Sequence, residues 1–325
     1  MQAFRGAATM SIVALALAFV ATAAMAQSAP TAPQGTWLAK TPLPAARNEV
    51  TAAVVADKIY VLGGSVRETQ YDLTRNEEYD TVIDRWRERA PMPHGLNDIA
   101  SVSLNGKVFT IGGFTGDGHK GATSHVFEYD PGTDKWRILA SLKSPLGAIS
   151  AATLDGKIHA IGGRGLDQIP VATHQVYDPA RDTWSELAPL PKARDHAPIA
   201  VFDGKIHILG GRFGETEDNA DLHDVYDPAT NSWSPGPPLP TARSAGSAIV
   251  YGDKILVVGG EHGTGTFAEN EAYDPRTKTW STLAAMPAGR HGSGVVSVGP
   301  FVYFAAGAKG RGGRDVTDEM LAFGR

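Results

Sequence analysis

Short apolar runs recur along the chain at a nearly constant interval, and each run ends in a pair of small residues. Five runs end in two glycines, the first of which stands at position 63, 112, 162, 210 or 259, and a sixth run ends at Ala306/Gly307. Successive runs therefore end 47 to 50 residues apart. A period of this length predicts a chain built from six copies of one supersecondary unit.

A second pattern follows each of the first five runs: a tyrosine and, seven residues later, a tryptophan. The pairs are Tyr79/Trp86, Tyr129/Trp136, Tyr177/Trp184, Tyr226/Trp233 and Tyr273/Trp280. In four repeats the tyrosine is followed by Asp-Pro, a turn signal, so the two aromatic segments are predicted to form a hairpin. Ahead of each apolar run lies another strand-like segment, joined to it by a tight turn such as Asn105-Gly106. Each repeat therefore predicts four antiparallel strands, and the chain is predicted to be all-β.

The sixth repeat ends before it reaches a tryptophan, and the missing strand is found at the other end of the chain. Thr36-Trp37-Leu38 supplies it, which predicts a ring closed by the N-terminal strand beside the C-terminal one. These motifs resemble those of kelch-repeat six-bladed β-propellers over residues 37–323. The resemblance implies a single propeller domain spanning residues 36–325.

Charge and cysteine content narrow the function classes. The 325 residues include 30 basic and 35 acidic side chains, interspersed along the chain, for a net charge of −5. A basic stripe that would grip nucleic acid is therefore not expected. The chain has no cysteine, so packing and ring closure must hold the fold. Neither a cofactor nor a metal ion is expected, because no ligand spacing typical of a metal site occurs.

The N-terminus predicts export. Arg5 precedes an apolar run and then small residues that end at Ala26, which is typical of a signal peptide over residues 1–26, cleaved before Gln27. Residues 27–35 form a polar linker. We expect a periplasmic or extracellular protein without membrane insertion after cleavage, and a monomer.

Strand direction predicts where a binding site would lie. The loops between the second and third strands of each repeat, and the connections between repeats, must share one side of the ring, which we call the loop face. The loops between the second and third strands are residues 64–75, 114–124, 164–173, 213–222, 261–270 and 308–317. They are longer than the turns on the opposite side, so we expect the binding surface there. The sequence 116–121 matches G-x-G-x-x-G, but it lies between strands and is predicted to be a hairpin loop.

Four arginines recur in the connections between repeats, in the pattern Pro-x-x-Arg. They are Arg47, Arg194, Arg243 and Arg290, with Leu96 and Leu146 at the equivalent positions of the other two repeats. An arc of four guanidinium groups would favour an anionic ligand, either a sugar acid or an acidic protein segment. The alternative is that each arginine pairs with a nearby acid, such as Glu261, Asp195 or Asp98, and ties the blades together. Four neighbours complete the predicted ligand-binding set: Asn48, His196, Arg164 and Arg212.

The resemblance adds two functional expectations. In kelch proteins that bind acidic peptides, arginines at this Pro-x-x-Arg position line the pocket, which implies a ligand- or protein-binding module. The chain is also distantly similar to periplasmic N-acetylneuraminate epimerases, which implies an isomerase acting on an acidic sugar. For that chemistry, Glu261 and His291 are the candidates for proton transfer, although residues 261–271 lack the arginine of that family. Whether the protein is an enzyme stays open at this point.

Overall fold

A computed structural model describes residues 1–2, 34–66, 71–116 and 119–324. The chain divides into two units, Met1–Ala32 and Pro33–Arg325, and the second contains all the strands described below. The predicted signal peptide and linker lie almost entirely outside the described residues. Within the described part of the chain, no helix is long and apolar enough to cross a membrane.

Strands account for nearly all the regular structure, with two short 3₁₀ helices at Thr216–Asp218 and Arg311–Gly313. In chain order the strands are β1 (Thr36–Lys40), β2 (Thr51–Val55), β3 (Lys58–Leu62), β4 (Ser65–Val66), β5 (Tyr71–Asp72), β6 (Asn76–Asp80), β7 (Arg85–Glu88), β8 (Ala100–Leu104), β9 (Lys107–Ile111), β10 (Phe114–Gly116), β11 (Lys120–Ala122), β12 (Val126–Asp130), β13 (Lys135–Ile138), β14 (Ser150–Leu154), β15 (Lys157–Ile161), β16 (His174–Asp178), β17 (Thr183–Glu186), β18 (Ile199–Phe202), β19 (Lys205–Leu209), β20 (His223–Asp227), β21 (Ser232–Pro235), β22 (Ser247–Tyr251), β23 (Lys254–Val258), β24 (Glu261–His262), β25 (Gly265–Thr266), β26 (Asn270–Asp274), β27 (Thr279–Thr282), β28 (Gly294–Val298), β29 (Phe301–Ala305), β30 (Ala308–Gly310), β31 (Arg314–Val316) and β32 (Met320–Gly324).

The described strands form six four-stranded antiparallel sheets, the blades of a propeller. Blades 1 to 5 are β2-β3-β6-β7, β8-β9-β12-β13, β14-β15-β16-β17, β18-β19-β20-β21 and β22-β23-β26-β27. Blade 6 is β28-β29-β32-β1, with Trp37 of β1 opposite Phe323 of β32. The predicted all-β fold, blade number and N-terminal closure are all confirmed. Four small hairpins, β4-β5, β10-β11, β24-β25 and β30-β31, extend the loop face.

The hydrophobic core lies between the blades rather than within one layer. Each pair of neighbouring blades shares a cluster of buried side chains, and the cluster between blades 5 and 6 contains Leu256 and Phe304. The repeated aromatic residues frame these interfaces. Tyr79 is buried and lies opposite Trp86 in the register, and the indole N–H of Trp86 donates to the carbonyl oxygen of Thr41 in the preceding connection at 2.8 Å. The repeated tyrosine and tryptophan residues are therefore explained by the contacts between successive blades.

The glycine pairs are required by a close approach between blades. Gly63 has a φ of +62°, and a Cβ atom there would lie 2.5 Å from the carbonyl oxygen of Leu96. The next glycine, Gly64, donates its N–H to that same oxygen at 2.9 Å. Glycine adopts this backbone conformation without strain and avoids this contact, although Ala306 occupies the same position in blade 6 with a φ of +60°. The same arrangement recurs around the ring, which explains why the pair is repeated.

A closed ring of backbone hydrogen bonds joins all six blades around the channel. One residue per blade takes part, which we call the neck ring: Glu49, Asp98, Ala148, His196, Ala245 and Gly292. In the last five of them the backbone N–H donates to the carbonyl oxygen of the preceding member at 2.9–3.4 Å. The N–H of Val50, the residue after Glu49, donates to the carbonyl oxygen of Gly292 at 3.2 Å and closes the ring. All six have a φ between +47° and +61°. The left-handed conformation at the neck is therefore imposed by the fold, whichever residue occupies the position.

Candidate functional site

The neck ring divides the channel into an upper and a lower part. On the loop-face side lies a cavity of about 260 Å³, whose polar lining comes mainly from Asn48, Glu49, Asn97, Asp98, His119, Glu261 and His291. At the ring itself the space narrows to about 130 Å³. On the opposite side a space of about 370 Å³ is lined by small and apolar residues of the first strands, such as Ala53 and Val250. The polar cavity on the loop face is therefore the candidate site.

The four predicted arginines do not line this cavity. Arg47, Arg194 and Arg243 have no exposed surface, and Arg290 is 2% exposed. Each guanidinium group contacts a carbonyl oxygen at the end of the second strand and an acid on or beside the third strand of the blade that follows it. The acids are Glu77, Asp224, Glu271 and Glu319.

The backbone of each arginine is held by the preceding blade, so the side chain forms a tie between two blades. For Arg243, the carbonyl oxygen accepts from Gly211 at 2.9 Å, whereas the guanidinium donates to Gly259 at 2.9 Å and to Glu271 at 2.7 Å. This geometry corrects the predicted ligand-facing arc: the charges are already paired inside the protein. The arginines instead tie the blades together, which was the alternative expectation, but their partners are not Glu261, Asp195 or Asp98.

Arg212 and Arg164 belong to a separate buried network beneath the cavity. Arg212 donates from Nε to Asp195 Oδ1 at 3.1 Å and from Nη1 to Glu261 Oε1 at 2.6 Å. Arg164 donates from Nε to the other oxygen of Asp195 at 3.0 Å. All four side chains are buried. Arg164, Arg212 and Glu261 closely follow the second strands of blades 3, 4 and 5, so this network links three blades at the site.

His196 is a neck-ring residue, and both nitrogens of its imidazole have contacts. Nδ1 contacts Asp195 Oδ1, while Nε2 lies 3.1 Å from Nη2 of Arg212 and 3.4 Å from Oδ1 of Asp98. Burial and Arg212 oppose protonation of His196, but the carboxylates of Asp195 and Asp98 outweigh them and raise its pKa. His119, on the loop between β10 and β11, packs edge-on against His196 with ring centroids 4.9 Å apart. Nε2 of His119 lies 3.5 Å from Oδ2 of Asp98.

The two proton-transfer candidates are brought together on the other side of the cavity. Nε2 of His291 lies 3.7 Å from Oε2 of Glu261, and Nδ1 lies 3.2 Å from Oε1 of Glu49, an ionic contact outside aligned hydrogen-bond geometry. Burial alone would lower the pKa of His291, but the carboxylates of Glu49 and Glu261 outweigh it and raise the pKa to about 9. Burial also opposes ionisation of Glu261, yet His291 and Arg212 hold its pKa at about 2. Burial and the neighbouring Asp98 raise the pKa of Glu49. His291 is thus a cation and Glu261 an anion at neutral pH.

Sequence reasoning missed Glu49, Asn97 and His119 as site residues and treated Asp98 only as a partner for an arginine. A signal was present: the neck-ring residue always stands two positions after the Arg or Leu of the connection. Glu49 and Asp98 follow that rule, and so does His196, which was predicted. His119 carries no comparable signal, because its loop differs in every blade. Asn48, also predicted, lines the cavity and accepts from Ser65 at 3.3 Å.

The fold and the site together define a six-bladed propeller with a polar cavity at one mouth of its channel. The profile of the KLHDC2/KLHL20/DRC7 Kelch-repeats domain matches residues 150–323, and that of the Kelch motif matches residues 46–93 and 96–143. The chain belongs to the kelch-repeat family. The fold is similar to that in the solved structure titled "Structure of YjhT", with a TM-score of 0.74 and 17% identity over 87% of this chain and 96% of that one. None of the curated proteins matches the chain.

Proposed function

We propose that this protein is exported and binds a small polyhydroxylated ligand of the sugar class in the cavity on its loop face. The observation that carries the proposal is the lining of the cavity. Carboxylate and carboxamide groups line it at the mouth of the channel, and the buried network of Arg164, Arg212 and Asp195 holds Glu261 in place. Its volume of about 260 Å³ lies just below the range of about 300–1,000 Å³ for drug-sized ligand sites. A ligand the size of one or two sugar rings suits that space.

The chemistry of the lining supports a ligand with several hydroxyl groups. Asp98 and Glu261 offer carboxylate oxygens that accept hydrogen bonds from hydroxyls, and Asn48 and Asn97 offer both donors and acceptors. Protonated His291 adds one charged donor. Because the blade contacts already fix these side chains, binding would cost little additional ordering.

The preference for an anion that the sequence suggested loses its main support. The four arginines of the connections are buried in blade interfaces, and the charges of Arg164 and Arg212 are offset by Asp195 and Glu261. Besides Glu261, the carboxyl groups of Glu49 and Asp98 line the cavity against one cationic imidazole, that of His291. This balance favours a neutral sugar over a sugar acid or an acidic peptide.

Export is supported by the sequence of residues 1–26, with its Arg5, its apolar run and its small residues before Gln27. N-terminal sequencing of the protein recovered from outside the cytoplasm tests this part. A mature terminus at Gln27 is expected, and an intact Met1 in a cytoplasmic fraction would contradict export.

An epimerase or mutarotase acting on the bound sugar is the second candidate. The observation in its favour is that Glu261 and His291 line the same cavity and lie 3.7 Å apart. Their pKa values of about 2 and about 9 make Glu261 a weak base and His291 a weak acid at neutral pH. Efficient general acid–base groups have pKa values near the working pH. Binding is therefore the better-supported function, and sugar interconversion followed by NMR distinguishes the two.

Thermal shift against neutral sugars, sugar acids and acidic peptides tests the binding function. A ligand at 100 times its Kd stabilises a protein by about 2.7 kcal/mol, which is a visible shift. We expect a neutral sugar to give the largest shift. Asn48→Ala removes one lining amide worth about 1 kcal/mol, or about five-fold in affinity, whereas the exposed Ser232→Ala should leave the shift unchanged. No response to any sugar, or a response to acidic peptides alone, would contradict the proposal.

A further inference from the structure

We propose that Asp98, His119 and His196 form a site for one divalent transition-metal cation at the neck of the channel. One donor atom from each residue lies within 4.8 Å of the other two. The three residues come from two blades: Asp98 from the connection into blade 2, His119 from the loop of blade 2, and His196 from the connection into blade 4. The intervening neck-ring residue is Ala148, whose small side chain leaves room for His196 and Asp98 to meet.

The distances fit a common centre. Oδ1 of Asp98 lies 3.4 Å from Nε2 of His196, and Oδ2 lies 3.5 Å from Nε2 of His119. Ligand atoms about 2.1 Å from a tetrahedral metal centre lie about 3.4 Å from one another. The donor atoms of the two histidines and of Asp98 lie within 4.8 Å of one another, so a rotation of the carboxylate and a closer approach of the two imidazoles would bring all three into range of a single cation.

The chemistry of the three donors suits a borderline cation. Two imidazoles and one carboxylate favour zinc, iron, cobalt or nickel over calcium or magnesium, which prefer oxygen ligands alone. Asp98 and His119 also line the loop-face cavity, so the remaining coordination positions would face that cavity. Sites with three protein ligands and an open position are typical of metals that contact a water molecule or a ligand.

The surroundings of His196 provide an independent argument. Asp195 contacts Nδ1, so the other ring nitrogen, Nε2, is turned toward Asp98, which also contacts His119. A carboxylate behind a histidine is the common outer partner of a metal-binding imidazole. Asp195 is itself fixed by Arg164 and Arg212 at 3.0 and 3.1 Å, so the imidazole is held in a ligating orientation.

One existing contact must give way. Nη2 of Arg212 lies 3.1 Å from Nε2 of His196, and this contact would be replaced by the bond to the metal ion. The guanidinium retains its contacts with Asp195 and Glu261, and those two carboxylates offset its charge. Asp98 is a further carboxylate of this cluster, and its negative charge would face the cation directly.

Metal titration of the untagged protein tests the site, independently of whether a sugar binds. Protein stripped with a chelator is titrated with Zn²⁺ by calorimetry, and with Co²⁺ while its visible d–d absorption is recorded. We expect one equivalent of either ion to bind and the Co²⁺ absorption to be intense, as in low-symmetry sites. His119→Gln and Asp98→Asn should each weaken binding at least ten-fold.

Control variants separate this site from adventitious binding and from unfolding. His262→Gln alters another loop-face histidine, outside the cluster, and should bind metal as the natural chain does. His119 is half-buried in a surface hairpin, so His119→Gln should keep the melting temperature of the metal-free protein. No saturable binding by the natural chain, or equal affinity in a folded His119→Gln variant, would overturn the proposal.

Discussion

Arg212 and Glu261 join blades 4 and 5 at the loop face, with Nη1 of the arginine 2.6 Å from Oε1 of the glutamate. Neither side chain is more than 6% exposed. The backbone N–H of Gly312 in blade 6 donates to the other oxygen of Glu261 at 3.2 Å. One carboxylate thus connects three blades, and it also lines the cavity. Rigidity of the site and cohesion of the ring depend on the same contact.

Removal of this arginine should destabilise the protein strongly. Arg212→Gln leaves Glu261 and Asp195 buried with less compensation, and breaking a buried pair on one side costs about 3–5 kcal/mol. Urea unfolding measures the change. The exposed pair of Arg276 and Asp253 provides the control, because Arg276→Gln should cost less than about 1 kcal/mol. Equal effects of the two substitutions would contradict this account.

The arginines of the connections should behave as structural ties. Arg243→Ala removes the partner of buried Glu271 and should lower the free energy of unfolding by about 3–5 kcal/mol. The exposed Arg137→Ala, which also loses one glutamate partner, should change it by less than about 1 kcal/mol. Calorimetric melting compares the two variants. An Arg243→Ala protein with unchanged stability but lost ligand binding would restore the arginine to a ligand-binding role.

Two buried histidine pairs should make stability depend on pH. Nδ1 of His207 lies 2.8 Å from Nε2 of His223, whose Nδ1 faces the carbonyl oxygen of Pro237, and His159 and His174 repeat this arrangement. Each ring–ring contact has room for one proton between its two nitrogens, so both rings of a pair cannot be charged at once. Burial lowers the pKa of all four imidazoles to about 4, against about 6.5 in an unfolded chain.

Below pH 6.5 these histidines bind protons in the unfolded chain but stay neutral in the folded protein. The free energy of unfolding should therefore fall from pH 6.5 toward pH 4. Blade 2 carries Phe109 and Val126 in place of such a pair. His207→Phe with His223→Val copies blade 2 and should remove about half of the fall that the four paired histidines cause. Urea midpoints from pH 4 to 8 provide the measurement, and an identical pH profile in the double variant would contradict this explanation.

Closure of the ring should depend on the N-terminal strand. Trp37 lies against Phe323 and Phe304 and donates its indole N–H to the carbonyl oxygen of Ala284 at 2.9 Å. Because Trp37 is only half-buried, Trp37→Ala should cost about 3 kcal/mol, the lower end of the range for such truncations. Leu38→Ala on the exposed side of the same strand should stay within about 0.5 kcal/mol. Thermal unfolding of both variants tests this, and a stable Trp37→Ala protein would contradict the role of the closure.

The fold could be predicted because its signals are local and repeated. Glycine pairs, Tyr–Trp hairpins and the displaced Trp37 each follow from backbone geometry or interface packing. The burial of the arginines could not be predicted from one connection alone, since it depends on the direction of a long side chain. Comparison of the repeats does contain the answer: Arg47 occurs with Glu77, whereas Leu96 occurs with Phe127.

The cavity was harder to predict, because its residues come from distant positions that meet only in the closed ring. Glu49 and Asp98 converge through the neck ring, and the loops of blades 2, 5 and 6 add His119, Glu261 and Gly312. A period in the sequence locates the ring positions. It does not reveal which blades carry ionisable side chains facing one another.

Blocking the cavity tests the central claim most directly. Gly116 lines the cavity, has an ordinary backbone conformation, and a Cβ atom there would meet nothing closer than 3.7 Å. Gly116→Leu should therefore fold normally and fill the space, whereas Gly132→Leu alters a turn on the opposite face. The measurement is calorimetric titration of both variants with the sugar that gives the largest thermal shift. We predict at least ten-fold weaker binding for Gly116→Leu and unchanged binding for Gly132→Leu; unchanged binding in Gly116→Leu would place the ligand elsewhere on the protein.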